Sequence, residues 1–69
     1  MKLSARNVLK GKVKSVRDGA VNSEVILQLP GGTEIVSIIT RTAVKNLGLK
    51  KGKEAYAVIK ASNVIIATK

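Results

Sequence analysis

The chain contains no cysteine and no histidine. The first absence excludes disulfides, thiolate metal sites and a cysteine nucleophile. The second removes the commonest remaining transition-metal ligand, so no metal with direct protein ligands is expected. Phenylalanine and tryptophan are missing as well, which leaves Tyr56 as the only aromatic side chain and takes away the stacking platforms on which single-strand nucleic-acid binders lay their bases. Acids are scarce: Asp18, Glu24, Glu34 and Glu54 are the only ones, and they are scattered along the chain. General acid–base chemistry needs a positioned pair or a tuned histidine, so an enzyme is not expected. No apolar run approaches the ~20 residues of a membrane span. The beginning of the chain lacks the apolar stretch of roughly 7–15 residues found in a signal peptide, so a cytoplasmic location with no membrane partner is expected.

What is present is positive charge and β-branched bulk. Thirteen Lys and Arg against four acids give a net charge of +9, a field that attracts anions and says nothing about fold. Apolar residues make up 45% of the chain, nearly all Val, Ile, Leu and Ala, and β-branched side chains suit a pleated sheet. With 69 residues there is room for one domain, residues 1–69. A chain of this size buries roughly 60% of the surface it exposes when unfolded, which is marginal. Small scaffolds add a staple, and without disulfides or metals the staple that remains is association with copies of the same chain.

The pattern along the chain is that of short strands. Val8 to Val16 alternates with period two: Leu9, Gly11, Val13 and Ser15 share one face, while Val8, Lys10, Lys12, Lys14 and Val16 share the other. Arg17-Asp18-Gly19-Ala20 reads as a turn in which Asp-Gly supplies a positive φ. A second strand runs from Asn22 to Leu29, with Val25, Leu27 and Leu29 on its apolar side, and Pro30-Gly31-Gly32 stops it. The third, Thr33 to Ile39, is apolar on both faces, the pattern of a strand covered on both sides. Thr40 to Gly48 is the only helix candidate, with Thr40 or Thr42 as its cap and Gly48 as its stop. Strands over Glu54–Lys60 and Asn63–Ala67 complete the chain. The expected fold class is therefore all-β with one short helix: a five-stranded OB-like barrel in a single small domain, with an SH3-like barrel as the competing topology.

Donors gather where these elements break. Ser4 and Arg6, two residues apart on an extended segment around Ala5, lie on one side and can reach one ligand. Lys60-Ala61-Ser62 is a second cluster at a strand break, and Thr42 and Ala43 begin the short helix. Guanidinium, ammonium, hydroxyl and backbone N–H groups are what a tetrahedral oxyanion accepts hydrogen bonds from. Gly19-Ala20-Val21-Asn22 is a weaker candidate, a turn of small residues that lets backbone approach a ligand closely. The bland alternative for each residue taken alone is a solvated charge or a helix cap. Two other functions compete with oxyanion binding: a small basic OB-fold nucleic-acid-binding module acting through phosphates, with salt-sensitive affinity, and a purely structural assembly subunit.

Four segments in order, Ser4-Ala5-Arg6-Asn7-Val8-Leu9-Lys10-Gly11, Gly19-Ala20-Val21-Asn22-Ser23-Glu24-Val25, Leu47-Gly48-Leu49 with Gly52-Lys53-Glu54-Ala55, and Ile59-Lys60-Ala61-Ser62, resemble the molbindins. These are small molybdate-binding proteins made of a single mop domain of the TOBE group, and the opening Ser-Ala-Arg-Asn segment is the most specific element of the likeness. The resemblance implies an OB-like fold, a homo-hexamer built as a trimer of dimers, and molybdate or tungstate bound between subunits, with no organic cofactor. It implies an intracellular store or buffer of oxyanion in its stand-alone form, since no helix-turn-helix or nucleotide-binding motif accompanies the domain. Family binding residues fall on Ser4, Arg6, Thr42, Ala43, Lys60, Ala61 and Ser62, and on the backbone of Gly19–Asn22 at a second kind of site. Many relatives carry proline and an aromatic residue where this chain has Ser62-Asn63, a change that adds a donor. Molybdate is an unprotonated dianion at neutral pH and suits a donor-only pocket; tungstate is nearly the same size and suits it equally.

Overall fold

A computed structural model describes residues 1–69. Four strands, β1 (Asn7–Asp18), β2 (Asn22–Gln28), β3 (Glu34–Thr40) and β4 (Glu54–Ile59), form one antiparallel sheet in the order β3-β2-β1-β4. One helix, α1 (Arg41–Leu47), joins β3 to β4. The expected fifth strand over Asn63–Ala67 is absent. Ala61–Asn63 forms a single 3₁₀ turn, and the residues after it are extended but pair with nothing in the sheet. The result is a curled half-barrel rather than a closed five-stranded one. A local β-pattern licenses a strand, but a strand exists only where an edge receives it.

The core is thin. Val13, Val25 and Leu27 are buried, and Val16, Leu29, Ile35, Ile39, Val44, Leu49, Ala55 and Ala57 pack partly buried around them. β1 is the longest strand and pairs with both β2 and β4. Its alternation is interrupted once: Val13 faces Leu27 and Ser15 faces Ile26, so Lys14 is an extra, unopposed residue. Such a bulge shifts the side-chain alternation by one residue. Val16 therefore turns into the core beside Val25, against the face expected for it, while Ser15 joins the outer side. Lys10 and the bulged Lys14 stay on the wet face, where Lys10 pairs with Glu54 at 3.3 Å and Lys14 pairs with Glu34.

The helix forms where its caps lie. Thr40 is extended (φ −70°, ψ 152°) and its Oγ1 accepts from the Ala43 N–H at 3.0 Å, so Thr40 rather than Thr42 is the cap. Gly48 ends the helix in the left-handed region at φ 63°, where a side chain is strained. Lys53 Nζ donates to the Leu47 carbonyl at 2.7 Å and satisfies one of the terminal acceptors. The Asp-Gly turn works differently from its expected chemistry. Gly19 is not among the positive-φ glycines; what it provides is room, since a Cβ there would lie 2.9 Å from the Asn22 carbonyl oxygen.

Candidate functional site

The antiparallel pairing of β1 with β4 sets Asn7 opposite Ile59, and Asn7 Nδ2 donates to the Ile59 carbonyl at 3.2 Å. Ser4-Ala5-Arg6 is the chain immediately before Asn7, and Lys60-Ala61-Ser62 is the chain immediately after Ile59. Two segments more than fifty positions apart thus leave the sheet side by side at one end of β1. Both are outside the ladder, where backbone N–H groups remain available, and the side chains of Ser4, Arg6, Lys60 and Ser62 are largely exposed. Asn7, not foreseen as part of the site, is the stitch between them; its position next to Arg6 at the start of a strand was the readable signal.

Thr42 and Ala43 are elsewhere. β2 turns back from the far end of β1, and β3 pairs with β2 so that Thr40 sits opposite Asn22. The helix therefore begins beside the Gly19–Asn22 turn, and the Arg41 N–H donates to the Val21 carbonyl at 3.0 Å. β1 has twelve residues, so at about 3.3 Å per residue its two ends lie on the order of 30 Å apart. In one copy of the chain, Thr42 and Ala43 cannot share a ligand with Arg6 and Lys60.

At that second end the structure forms an open cleft of about 470 Å³ lined by Ala20, Val21, Thr42 and Val44 together with Asp18, Arg41 and Lys45. It brings half of the weaker candidate turn together with part of the main candidate set. Arg41 and Lys45 were not anticipated, although their spacing of four along a helix places them on one face. The turn is braced from beneath: Ser23, 1% exposed, donates its hydroxyl to Asp18 Oδ1 at 2.5 Å across the strand pair.

Charge is distributed to match. Each acid is engaged: Asp18 accepts from Ser23, Glu24 faces Arg17 at 3.5 Å, Glu34 faces Lys14 and Glu54 faces Lys10. Arg6, Arg41 and Lys60 have no carboxylate partner. Arg6 and Lys60 lie at one end of β1 and Arg41 at the other, with Lys12 also unpaired between them, and the arrangement can hold anions but offers no acid–base pair. Tyr56 is half exposed on the outer face of β4 opposite Lys10, as a lone ring. No group of histidine, cysteine or acid side chains is placed to hold a metal ion, and no helix is long and apolar enough to cross a membrane.

Residues 3–66 match the TOBE domain. The chain is 52% identical over 66 residues to a probable molybdenum-pterin-binding protein of Haemophilus influenzae, an overlap covering 96% of each chain. Its fold superposes on MopII from Clostridium pasteurianum with a TM-score of 0.91 at 46% identity, covering 97% of this chain and 100% of that one. It also superposes on ModG, described as a cytoplasmic molybdate-binding protein and solved with molybdate bound, with a TM-score of 0.92 at 63% identity. That match covers 94% of this chain and 46% of ModG, so the chain spans about half of ModG's length. Domain match, near-full-length relatives and shared fold agree: this chain belongs to the TOBE-domain family, in its molbindin branch.

Proposed function

We propose that this chain binds molybdate or tungstate between subunits of a homo-oligomer, a hexamer built as a trimer of dimers, and so stores or buffers the oxyanion in the cytoplasm. The observation that carries the reading is the convergence of Ser4–Arg6 and Lys60–Ser62 at the Asn7–Ile59 pair. Arg6 and Lys60 supply charge, Ser4 and Ser62 supply hydroxyl donors, and free backbone N–H groups supply the rest. A pocket with donors and no acceptor favours an anion without protons of its own, which describes molybdate and disfavours hydrogen phosphate. Sulfate is also unprotonated, so selection against it rests on size.

The distance between the two ends of β1 supports a shared site. For Thr42 and Ala43 to complete the pocket begun by Arg6 and Lys60, they must come from another copy. Binding and assembly then reinforce each other, because a ligand that contacts two subunits stabilises their contact. The binding role of the molybdenum-pterin-binding and molybdate-binding relatives points the same way, and the domain accounts for nearly the whole chain. The Gly19–Asn22 turn, beside the cleft at the other end, is the second and weaker oxyanion site.

Titration calorimetry with molybdate, with sulfate and phosphate present in millimolar excess, tests the reading. Binding heat that survives both competitors is the expected result. Heat abolished by sulfate reduces the site to a general anion patch and refutes selective oxyanion storage.

A further inference from the structure

A donor-only pocket separates molybdate from the smaller sulfate by size, and size is read by donors that stand at a fixed separation. Arg6 and Lys60 do not provide this by themselves. Both are exposed, and neither has a carboxylate to hold it. Their long rotatable stems let the charges close on either anion. A fixed separation must therefore come from the backbone that carries them.

The two arms of backbone are not fixed in the same way. Lys60–Ser62 runs into the 3₁₀ turn, where the Asn63 N–H donates to the Lys60 carbonyl at 2.8 Å and the Val64 N–H to the Ala61 carbonyl at 3.2 Å. That turn locks itself and leaves the Ala61 and Ser62 N–H groups without a backbone acceptor. Ser4–Arg6 has no such lock: none of its backbone or side-chain groups makes a hydrogen bond within the chain. It hangs from Asn7, the first residue of β1, whose ladder partner Ile59 is the last residue of β4. The end of a ladder is where strands fray. Here a side chain closes it, because the partly buried Asn7 donates from Nδ2 to the Ile59 carbonyl at 3.2 Å. No other side-chain hydrogen bond joins β1 to β4.

We propose that Asn7 is a positioning residue: its bond to the Ile59 carbonyl sets the separation of the two arms and with it the preference for molybdate over sulfate. The inference rests on the oxyanion site proposed above and adds the residue that fixes its size. An amide suits the task because it donates to the carbonyl without bringing a charge. A carboxylate at the same place would repel that carbonyl and put negative charge beside Arg6 and the bound dianion. With the arms held apart, the larger anion meets donors from both, while the smaller one leaves a donor of one arm without its acceptor. Once the bond is gone, the Ser4–Arg6 arm is free to follow the smaller anion inward. Molybdate also loses the advantage of an arm ordered before it binds, so the preference falls from both sides.

The test is calorimetry with sodium molybdate, repeated against rising sodium sulfate, on the full chain and on three variants. Asn7→Leu keeps the bulk of the side chain and removes the donor. Asn7→Ser removes the reach with a smaller polar group, so the test does not depend on whether the leucine variant folds. Asn7→Gln keeps the amide on a longer stem. The expected result is that the molybdate-to-sulfate affinity ratio falls by about tenfold or more in the leucine and serine variants, the scale of one charge-assisted hydrogen bond. In Asn7→Gln the ratio should stay closer to that of the parent. A residue that served only to hold the fold would lower the melting temperature and weaken both anions together, leaving the ratio in place. A ratio within about threefold of the parent in the leucine and serine variants, less than 1 kcal/mol of discrimination, therefore overturns the proposal, and so does an Asn7→Gln ratio as low as that of Asn7→Leu. Either result leaves oxyanion binding by the parent standing. A parent that gives no molybdate heat, or heat that sulfate abolishes, overturns the site and the role of Asn7 together.

Discussion

Gly11 provides the sharpest test of how this sheet is packed. It is buried in the middle of β1, and a Cβ built on it would lie 2.5 Å from the Gln28 carbonyl oxygen and 3.1 Å from Leu27 Cγ. The first contact is with backbone, which cannot swing aside as the tip of a side chain does. Gly11 is not among the positive-φ glycines, so the cost of Gly11→Ala is steric and not conformational. Overpacking of this kind costs about 1–3 kcal/mol, and a backbone clash belongs at the upper end. At ~0.05–0.15 kcal/mol per residue, a chain of 69 residues has about 3–10 kcal/mol of stability in all. Each kcal/mol moves the midpoint of so small a domain by about 4–8 °C, so the variant should melt roughly 10 °C or more below the parent. The assay is thermal unfolding followed by circular dichroism at one fixed protomer concentration, because association itself shifts the midpoint. Gly52→Ala is the control: its φ is 90° but nothing lies within 4 Å of the new Cβ, so it carries only the backbone term of about 1 kcal/mol. A Gly11→Ala midpoint within about 2 °C of the parent would refute the packing argument, given a scale of 4–8 °C per kcal/mol. So would one above that of Gly52→Ala.

Three further outcomes are expected. Arg6→Ala and Lys60→Ala should each weaken molybdate binding by about 10- to 100-fold, the range for losing a hydrogen bond from a charged group. In both variants particle mass should not change; calorimetry and light scattering check the two halves. Ser23→Ala removes the buried hydroxyl that donates to Asp18 and should cost about 1–2 kcal/mol in a denaturation series, with the Asp18→Asn variant retaining part of the bond. Thr40→Ala removes the side-chain acceptor of the Ala43 N–H and should cost about 1 kcal/mol, visible as a small fall in melting temperature with no loss at the Arg6–Lys60 end.

The parts of this protein that were legible in advance depend on neighbours in sequence. Alternation marked β1, β2, β3 and β4 to within a residue or two, and Thr40 with Gly48 bounded the helix because capping is chemistry within one turn. The donor-rich character of Ser4, Arg6, Lys60 and Ser62 was equally readable, since it follows from residue type and from where strands break. The bulge at Lys14 was not: it is a mismatch between two strands, and Val16 changes face because of what β2 does opposite it. The same limit explains the fifth strand. Asn63–Ala67 has the composition of a strand, but whether it becomes one depends on which edge is open to it, and within this chain none receives it.

By itself, then, the sequence determined the candidate ligand chemistry: positive charge, donors without histidine or cysteine, and only four scattered acids. Tertiary structure alone decided which donors meet. The Asn7–Ile59 pair joins Ser4–Arg6 to Lys60–Ser62, while the length of β1 carries Thr42 and Ala43 to the opposite end. The physical reason is that period-two patterning fixes the face a side chain occupies but carries no information about the strand beside it. Strand order and register come from long-range pairing, and in this protein they divide one set of candidate ligands between the two ends of a single strand.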